Sequence, residues 1–327
     1  MNVLPEWELL APSSVDEVRA ARAHHPGSRF LGGGTDLVVN LRRGIGDPPA
    51  TLIDLNRVAD LKGIEVAGEW IRIGAGVTIR ELAQDPRVRA SFPGLAAAAG
   101  SIAGPTHRNM GTVGGNLCLD TRCIYYNQSE WWRAANRYCL KYGGDICHVA
   151  PKSRICYATF SGDLAPALAV LDDAQIEIAG AQGARTLPLD SLYTGDGERY
   201  LALEPDELVV AVRARRPPAL RTGYDKVRVR QSIDYPLAGV AAGVVREGDR
   251  LADLRLAFTG TNPRPLRLAG TEDLCGGALD DAVMERLSGL VRRQVMAMRT
   301  TFTSGHYRRH AAGVLARRLV RRLFDTT

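Results

Sequence analysis

The chain lacks both a long apolar run and a secretory signal. Its longest apolar segments, such as residues 237–245, are too short and too rich in alanine and glycine to cross a bilayer. Near the amino terminus, Glu6 and Glu8 stand where a secretory signal would have a basic region followed by an apolar stretch. We therefore expect a cytoplasmic protein that does not associate with membranes.

Cysteine and aromatic residues are scarce outside one segment. Residues 118–156 hold five of the six cysteines, two of the four tryptophans and four of the ten tyrosines, and Cys275 is the remaining cysteine. In a reducing cytoplasm, clustered cysteines are more often metal ligands or catalytic thiols than disulfides. The composition therefore indicates an inserted module with its own stabilising device.

The cysteine segment also lacks a CxxC pair. After Cys118 the spacing runs 123–139–147–156, whereas zinc ribbons and fingers usually contain such a pair. Thiolates are soft ligands that suit either an iron–sulfur cluster or zinc, so zinc is disfavoured without being excluded. His148 is expected to be a hydrogen-bonded or surface histidine, and Cys275 to be structural.

Charge and motifs exclude several function classes. The net charge is +6, but the basic residues are scattered apart from one concentration near the carboxyl terminus, and no nucleic-acid motif occurs. A basic face that meets an acidic protein explains this charge at least as well, so we predict no nucleic-acid partner. The sequence has no Ser-His-Asp set, carboxylate pair or metalloprotease helix, and no residue is predicted to be catalytic.

A length of 327 residues favours two domains or more, and the residue patterns predict both helices and strands. The proline-rich basic segment 215–223 marks the boundary, which gives domains of residues 1–216 and 217–327. The first domain is expected to have three helices, at residues 14–24, directly after the N-cap Thr78, and at 94–103. Strands are expected at 51–55 and 70–73, and a helix followed by a strand over 163–180. Residues 187–193 and 207–212 are expected to be its closing elements. The second is expected to form a three-stranded antiparallel sheet and helices at 280–299 and 306–324.

Two loops are rich in glycine, GGGTD at 32–36 and GTVGGN at 111–116. Consecutive glycines let backbone N–H groups approach an anion, and threonine hydroxyls add donors. Neither loop is a Walker A loop or a GxGxxG fingerprint, and either loop alone is best explained as a tight turn. As a pair, they could close on a pyrophosphate.

These loops belong to a longer pattern. Together with SGDLAPALAVL at 161–171, YDKVRVRQSIDYPLAGVAA at 224–242 and the terminal TSGHYRRHAAGVLARRLVRRL, they resemble the flavoprotein subunits of molybdenum hydroxylases. The resemblance covers essentially the whole chain in matching order. It implies an α+β fold, in which a PCMH-type FAD-binding domain of two α/β subdomains precedes a carboxyl-terminal α+β domain like that of carbon monoxide dehydrogenase flavoproteins.

The resemblance also implies FAD and assigns roles to residues of this chain. Backbone N–H groups of the two loops would hold the diphosphate, and the loop residues are Gly32, Gly33, Gly34, Thr35, Thr112, Gly114, Gly115 and Asn116. Asp163 matches an acidic residue that binds ribityl or ribose hydroxyls, and Lys226 matches a lysine near the flavin pyrimidine, where a cation stabilises reduced anionic flavin. Ile102 falls where relatives place an apolar or aromatic residue against the isoalloxazine. Without the resemblance, Asp163 is equally well a helix N-cap and Lys226 an exposed strand lysine.

Residues 118–157 depart from the usual family pattern, in which the GGN loop leads almost directly to the aspartate. This insertion resembles one branch of the family, the 4-hydroxybenzoyl-CoA reductase flavoprotein subunits, which carry a [4Fe-4S] cluster there. The resemblance assigns four ligands and leaves Cys118 as a buried free thiol; the ligands are Cys123, Cys139, Cys147 and Cys156. Four aromatic residues would shield the cluster and give the insert a core, namely Tyr125, Tyr126, Trp131 and Trp132.

The resemblance implies an electron-transfer subunit of a heterotrimer that dimerises. It would pass electrons from reduced ferredoxin to a [2Fe-2S] small subunit and a molybdenum-cofactor large subunit, for reductive dehydroxylation of 4-hydroxybenzoyl-CoA to benzoyl-CoA in anaerobic aromatic degradation. Residues 118–156 contain six basic and three acidic residues, and we hypothesise that this surplus docks an acidic ferredoxin. Two alternatives stay open: a flavoprotein subunit of another molybdenum hydroxylase, oxidising an aromatic or N-heterocycle, and a zinc-stapled binding module without redox chemistry.

Overall fold

The computed structural model describes residues 6–230, 232–300 and 303–326. Residues 1–5 belong to the terminus where no secretory signal is predicted, and they lie outside the described part. The strands are β1 Glu8–Leu10, β2 Arg29–Leu31, β3 Thr51–Asp54, β4 Ile64–Ala67, β5 Trp70–Gly74, β6 Asp172–Gly180, β7 Gly183–Pro188, β8 Leu208–Arg215, β9 Arg221–Val227, β10 Ala238–Glu247, β11 Arg250–Thr259 and β12 Leu266–Arg267. The α-helices are α1 Val15–His24, α2 Leu37–Arg42, α3 Ile79–Gln84, α4 Pro86–Ser91, α5 Pro93–Ser101, α6 Pro105–Met110, α7 Val113–Leu117, α8 Glu130–Ala135, α9 Leu164–Ala169, α10 Asp281–Gln294 and α11 Gly305–Asp325.

Three sheets organise these elements, and the predicted α+β class is confirmed. A parallel sheet has the order β1-β3-β2, and an antiparallel sheet has the order β4-β5-β8-β6-β7. The third sheet, β12-β11-β10-β9, is antiparallel and lies in the carboxyl-terminal part. The first two sheets therefore belong to the amino-terminal part, where both glycine loops also lie.

Strand β10 is buried on both faces and joins the two halves of the core. Because successive side chains of a strand point to opposite faces, Val240, Ala242 and Val244 pack into one apolar cluster with α10 and α11. Ala241 packs into the other cluster, which contains α5 and α9. The third sheet is thus fixed against α5 and α9, whose ends adjoin two predicted site residues, Ile102 and Asp163.

Several predicted elements differ from those in the structure. The carboxyl-terminal sheet has four strands rather than three, because the two-residue strand β12 pairs with β11 and is too short to show periodicity in sequence. Helix α10 ends at Gln294, not at residue 299, since Val295 is already extended. The closing element at 187–193 is the end of β7 followed by a 3₁₀ turn at Leu189–Leu192. Proline at 188 has no N–H for a strand ladder, which explains the end of that strand.

Local capping agrees with the sequence at the start of α3. The Thr78 side chain accepts from the Glu81 N–H at 3.1 Å, and the Glu81 carboxylate accepts from the Thr78 N–H at 2.8 Å. This reciprocal pair is the predicted N-cap, in the form of a capping box. Thr78 also forms a β-bridge with Thr112, so the cap anchors the second glycine loop. Among the described residues, no helix combines the length and apolar character that a membrane span requires.

Candidate flavin cleft and thiol pocket

All the residues predicted to bind the cofactor line one cleft of about 690 Å³. The first glycine loop follows β2, Asp163 precedes α9, and Lys226 lies on β9. The second segment was predicted to be a loop, but its residues 113–116 form most of α7, with Thr112 as the N-cap. The predicted residues in its wall are Gly32, Gly33, Gly34, Thr35, Ile102, Thr112, Gly114, Gly115, Asn116, Asp163 and Lys226. Segments that are far apart in sequence therefore meet around one cavity.

The two glycine loops pack directly against each other. A Cβ at Gly33 would lie 1.8 Å from the Met110 carbonyl oxygen, so no larger residue fits without separating the loops. A Cβ at Gly114 would lie 2.8 Å from the Ala75 Cβ, which packs the second loop onto the strand-to-helix turn behind it. Close backbone approach explains these glycines.

The two glycine loops differ in how many of their backbone N–H groups have no acceptor within the described protein. No described residue accepts a hydrogen bond from the backbone N–H groups of residues 33–35. In the second loop, the Gly114 N–H donates to the Ala75 oxygen at 2.8 Å and the Gly115 N–H donates to the Thr112 Oγ1 at 3.1 Å. The prediction gave both loops the same role, whereas in this conformation the first loop offers unused donors and the second supports it.

Asp163 lies at the centre of a buried polar network. It occupies the N-cap position of α9, but its carboxylate makes no capping hydrogen bond. Instead it accepts from the Tyr224 hydroxyl and, at 3.0 Å, from the Lys226 Nζ, which also donates to the Ser101 carbonyl at 3.3 Å. The side chains of both ion-pair partners are 4% exposed. Lys226 is therefore not an exposed strand lysine, and Asp163 does not act as a side-chain cap.

Sequence reasoning missed Tyr224, although a signal was present. Tyr224 and Lys226 are two residues apart on β9, so both side chains lie on the same face of the sheet. Burial, and then the charge of Asp163, raise the pKa of Tyr224 well above its usual value. The phenol consequently remains a neutral donor to the carboxylate.

Ile102 follows α5 and lines the cleft beside an unusual backbone conformation. Ala103 has φ +42, a region that residues with a Cβ rarely adopt. The Arg108 Nη1 donates to the Ile102 carbonyl at 2.7 Å and to the Ala103 carbonyl at 3.3 Å. This guanidinium holds the turn that presents Ile102 to the cavity.

The insert contributes to the cleft wall through Arg122. Its guanidinium donates to Asp36, the last residue of the first loop, and to the Asn40 Oδ1 at 2.7 Å. It also lies 5.3 Å from the ring centroid of Tyr235, whose hydroxyl donates to Asp36 at 3.0 Å. This tether was not predicted, since the two charges are 86 residues apart in sequence.

The ends of the insert meet at one β-bridge. The Arg122 N–H donates to the Thr159 oxygen at 2.8 Å, and the Thr159 N–H donates to the Arg122 oxygen at 2.7 Å. Between them, all four predicted ligand cysteines are buried and free, as Cys123, Cys139, Cys147 and Cys156. The insertion is thus a closed module on the side of the cleft.

The four thiols share one pocket. Cys123, Cys139 and Cys156 pack in one buried cluster, and Cys147 affects the pKa of both Cys123 and Cys156. Backbone N–H groups point at the sulfurs, including that of Ala158 at 3.3 Å from the Cys156 Sγ. Among the described residues, no group of three or more His, Cys, Asp or Glu side chains is arranged to hold a metal ion.

Protonation in the thiol pocket reflects burial and hydrogen bonding. Burial raises the pKa of Cys123 and of Cys139. The hydrogen bond from Cys156 lowers the pKa of Cys147 to about 5 and raises that of Cys156 itself. Four buried thiolates would therefore need a compensating cationic group, as thiolate ligands obtain from a metal.

The interior of the insert differs from the predicted aromatic core. Tyr126 is buried, but Trp131 is 78% exposed and shields nothing. Arg133, 2% exposed, fills the interior instead: it donates to the Gln128 carbonyl at 2.8 Å and to the Gly44 carbonyl at 2.6 Å. A guanidinium has five donors and can satisfy several carbonyls of an irregular loop, which an indole cannot do.

One histidine of the insert and the two cysteines outside the proposed ligand set also have observed surroundings. The His148 ring nitrogen Nε2 lies 2.6 Å from the Tyr138 carbonyl oxygen, so His148 is hydrogen-bonded as predicted. Cys118 is a free, partly buried thiol on the cleft wall, and burial raises its pKa to about 12. Cys275 is also free, and its thiol lies 3.4 Å from the Thr271 carbonyl, in the carboxyl-terminal part.

Known proteins match the chain over both parts. A family described as the FAD binding domain in molybdopterin dehydrogenase matches residues 5–214, and the CO dehydrogenase flavoprotein C-terminal domain matches residues 223–323. The chain is 30% identical to the carbon monoxide dehydrogenase medium chain of Hydrogenophaga pseudoflava, over 81% of this chain and 78% of that one. It is 34% identical to the aldehyde oxidoreductase FAD-binding subunit PaoB of Escherichia coli, over 76% of this chain and 79% of that one.

Solved structures agree with this relationship. A reconstituted CO dehydrogenase from Oligotropha carboxidovorans matches with a TM-score of 0.80 and 25% identity, over 98% of this chain and 99% of that one. Quinoline 2-oxidoreductase from Pseudomonas putida 86 has the same fold, with a TM-score of 0.80 and 23% identity over 98% of each chain. The chain therefore belongs to the molybdenum hydroxylase family, as an FAD-binding oxidoreductase subunit.

Proposed function

We propose that FAD occupies the 690 Å³ cleft with its diphosphate at the first glycine loop. The unused N–H groups of residues 33–35 support this placement, because an anion can accept several backbone hydrogen bonds there. Thr112 and the glycines of the second loop would close the loop pair from the other side. Ile102 would contact the isoalloxazine.

In the proposal, the buried network of Asp163, Tyr224 and Lys226 holds the flavin end of the cofactor. FAD supplies the redox chemistry when bound, as an acceptor and donor of one or two electrons. The Asp163 carboxylate has capacity to accept a hydrogen bond from a ribityl hydroxyl while it fixes the Lys226 ammonium. That ammonium lies in a site largely removed from water, where its charge favours an anion at the pyrimidine side.

We further propose that Cys123, Cys139, Cys147 and Cys156 hold a [4Fe-4S] cluster. Four free buried thiols with backbone N–H donors aimed at sulfur fit such a group. In a cubane each cysteine ligates a different iron, so the sulfurs need not converge on one point as they do around a single ion. When bound, the cluster would supply one-electron transfer.

Metal and flavin analysis of the purified full chain tests both assignments. Anaerobically prepared protein is expected to contain one FAD, four irons and four sulfides per chain, as the proposed cofactors dictate, with a cubane signal in electron paramagnetic resonance after dithionite. Cys139→Ser should abolish the signal and leave the flavin bound, whereas Cys275→Ser should leave both. Stoichiometric zinc without iron would refute the cluster. A cubane signal that persists in both Cys139→Ser and Cys275→Ser would also refute it.

At the level of the complex, we propose the flavoprotein subunit of a 4-hydroxybenzoyl-CoA reductase in the cytoplasm. Its partners would be a molybdenum-cofactor large subunit and a [2Fe-2S] small subunit, and its donor an acidic ferredoxin. The thiol pocket supports the reductase over a molybdenum hydroxylase that oxidises its substrate. In such a hydroxylase the flavin receives electrons that come from the substrate, and it needs no additional low-potential centre. Family membership excludes the non-redox binding module.

The second candidate is a molybdenum hydroxylase that oxidises an aromatic or N-heterocyclic substrate, and membership of the family is compatible with it. Assay of the assembled complex separates the two. Reduced ferredoxin with 4-hydroxybenzoyl-CoA should yield benzoyl-CoA, and the rate should fall with ionic strength if the basic insert docks the donor. Substrate-dependent reduction of the flavin by an N-heterocycle, without benzoyl-CoA formation, would favour the alternative.

A further inference from the structure

One buried cation lies between the thiol pocket and the cleft. The Lys141 side chain is 5% exposed, although it belongs to an insert whose surface is rich in charge. It follows Cys139 by two residues, and its Nζ lies 5.2 Å from the ring centroid of Tyr126, which packs in one apolar cluster with Cys139 and Cys156. Lys141 is therefore close to the proposed cluster ligands.

The ammonium is held by three acceptors outside the thiol pocket. The Lys141 Nζ donates to the Asp120 Oδ1 at 2.9 Å, the Thr121 Oγ1 at 2.7 Å and the Gly197 carbonyl at 2.6 Å. These acceptors use all three of its protons. Asp120 belongs to the start of the insert and lines the flavin cleft, so the ion pair joins the middle of the insert to its first residues on the cavity wall.

Two tyrosine rings flank the same ammonium. The Lys141 Nζ lies 5.2 Å from the Tyr126 ring centroid and 5.1 Å from the Tyr200 ring centroid, both within the range of a cation–π contact. Tyr126 packs in the cluster that contains Cys123, Cys139 and Cys156, whereas Tyr200 lines the cleft. The cation is thus the centre of a packed bridge from one pocket to the other.

We propose that Lys141 positions the thiol pocket against the flavin cleft and that its fixed positive charge makes reduction of the group held by the four cysteines more favourable. This inference rests on the proposed cluster. A cluster gains a negative charge on reduction, and a buried cation with few waters around it stabilises that charge. The potentials of iron–sulfur sites depend on such nearby charge and on hydrogen bonds to sulfur.

The test is a redox titration of the full chain in its complex, followed by electron paramagnetic resonance. Lys141→Met should make reduction of the cluster roughly tenfold less favourable, which is a shift of about 59 mV to lower potential for one electron. Lys152→Met removes the same charge from an exposed position of the insert and should leave the potential unchanged. Asp120→Asn should shift it upward, because the ammonium loses its compensating carboxylate.

The opposite signs distinguish electrostatics from structural damage. If Lys141→Met does not fold by circular dichroism, the upward shift of Asp120→Asn carries the test, and Lys141→Arg should retain the potential. An unchanged potential in folded Lys141→Met, or no upward shift in Asp120→Asn, overturns the inference alone. A wild-type chain without a cubane signal overturns the cluster proposal and this inference with it.

Discussion

Replacing Lys226 by methionine tests the buried network at the cleft. The substitution keeps most of the side-chain volume and leaves the Asp163 carboxylate, 4% exposed, without its ammonium. Removing one partner of a buried ion pair typically costs about 3–5 kcal/mol. The Tyr224 hydroxyl still donates to Asp163, which places the expected loss of unfolding free energy at the lower end, about 3 kcal/mol.

The assay is urea unfolding of the full chain, followed by circular dichroism in excess FAD. Arg228→Met is the matched control, because Arg228 donates to the same Ser101 carbonyl oxygen at 2.9 Å without pairing with Asp163. It should lose no more than one hydrogen bond, about 1 kcal/mol. The double variant Lys226→Met with Asp163→Asn should lose less than the two single losses combined, since it leaves no unpaired charge.

Unfolding with and without FAD separates protein stability from cofactor binding. The stabilisation by free FAD equals RT ln(1 + [FAD]/Kd), so any difference in the gain between wild type and Lys226→Met reports a change in the Kd of FAD. The loss measured without FAD is the part due to the ion pair. A loss of less than about 1 kcal/mol, equal to that of Arg228→Met, or additive losses in the double variant, would refute the network argument.

Three further expectations concern the cleft. Gly33→Ala brings a Cβ to 1.8 Å from the Met110 carbonyl oxygen and should lower the FAD bound to the purified chain at least about tenfold. The control Gly277→Ala, with nothing within 4 Å of its Cβ, should retain the cofactor. Equal flavin content in the two variants would contradict the loop packing. Tyr224→Phe leaves the buried carboxylate with one donor fewer and should cost about 1–3 kcal/mol in the same urea assay, so an unchanged midpoint would contradict it. Burial raises the pKa of Cys118 to about 12, which lowers its thiolate fraction at pH 8 about a thousandfold. Mass spectrometry should show iodoacetamide alkylating this thiol at least about a hundredfold faster in urea than in the native chain, and equal rates would refute its burial.

The parts of the site that sequence predicted are those with local chemical requirements. Gly33 can be only glycine because the backbone of Met110 occupies the space of its Cβ, and such a requirement leaves a recognisable loop in the sequence. Asp163 and Lys226 were located only through the resemblance to known flavoproteins. Nothing in their immediate neighbours distinguishes a buried ion pair from a cap and a surface lysine.

Contacts between distant segments could not be predicted in this way. Arg122 meets Asp36 and Lys141 meets Tyr200 because the insert folds back on the cleft, and one sequence carries no record of that pairing. The aromatic core of the insert was predicted from composition and is only partly correct. Trp131 points to solvent, while Arg133 takes the interior because its fork of donors satisfies carbonyls that no apolar ring can satisfy.

The closure of the insert explains how a flavin subunit can carry an additional pocket without disturbing its own cleft. Arg122 and Thr159 exchange two backbone hydrogen bonds, so the chain leaves and re-enters the flavin-binding part at one point. The module is then fixed to the flavin-binding part by the ion pair of Arg122 with Asp36 and by the hydrogen bond from Lys141 to the Gly197 carbonyl, two partners outside the insert. A metal site that only stabilised the insert would require neither of these contacts with the flavin-binding part. Two tethers to the flavin-binding part fit a module whose position relative to the cleft matters, as the proposed electron exchange between the two would require.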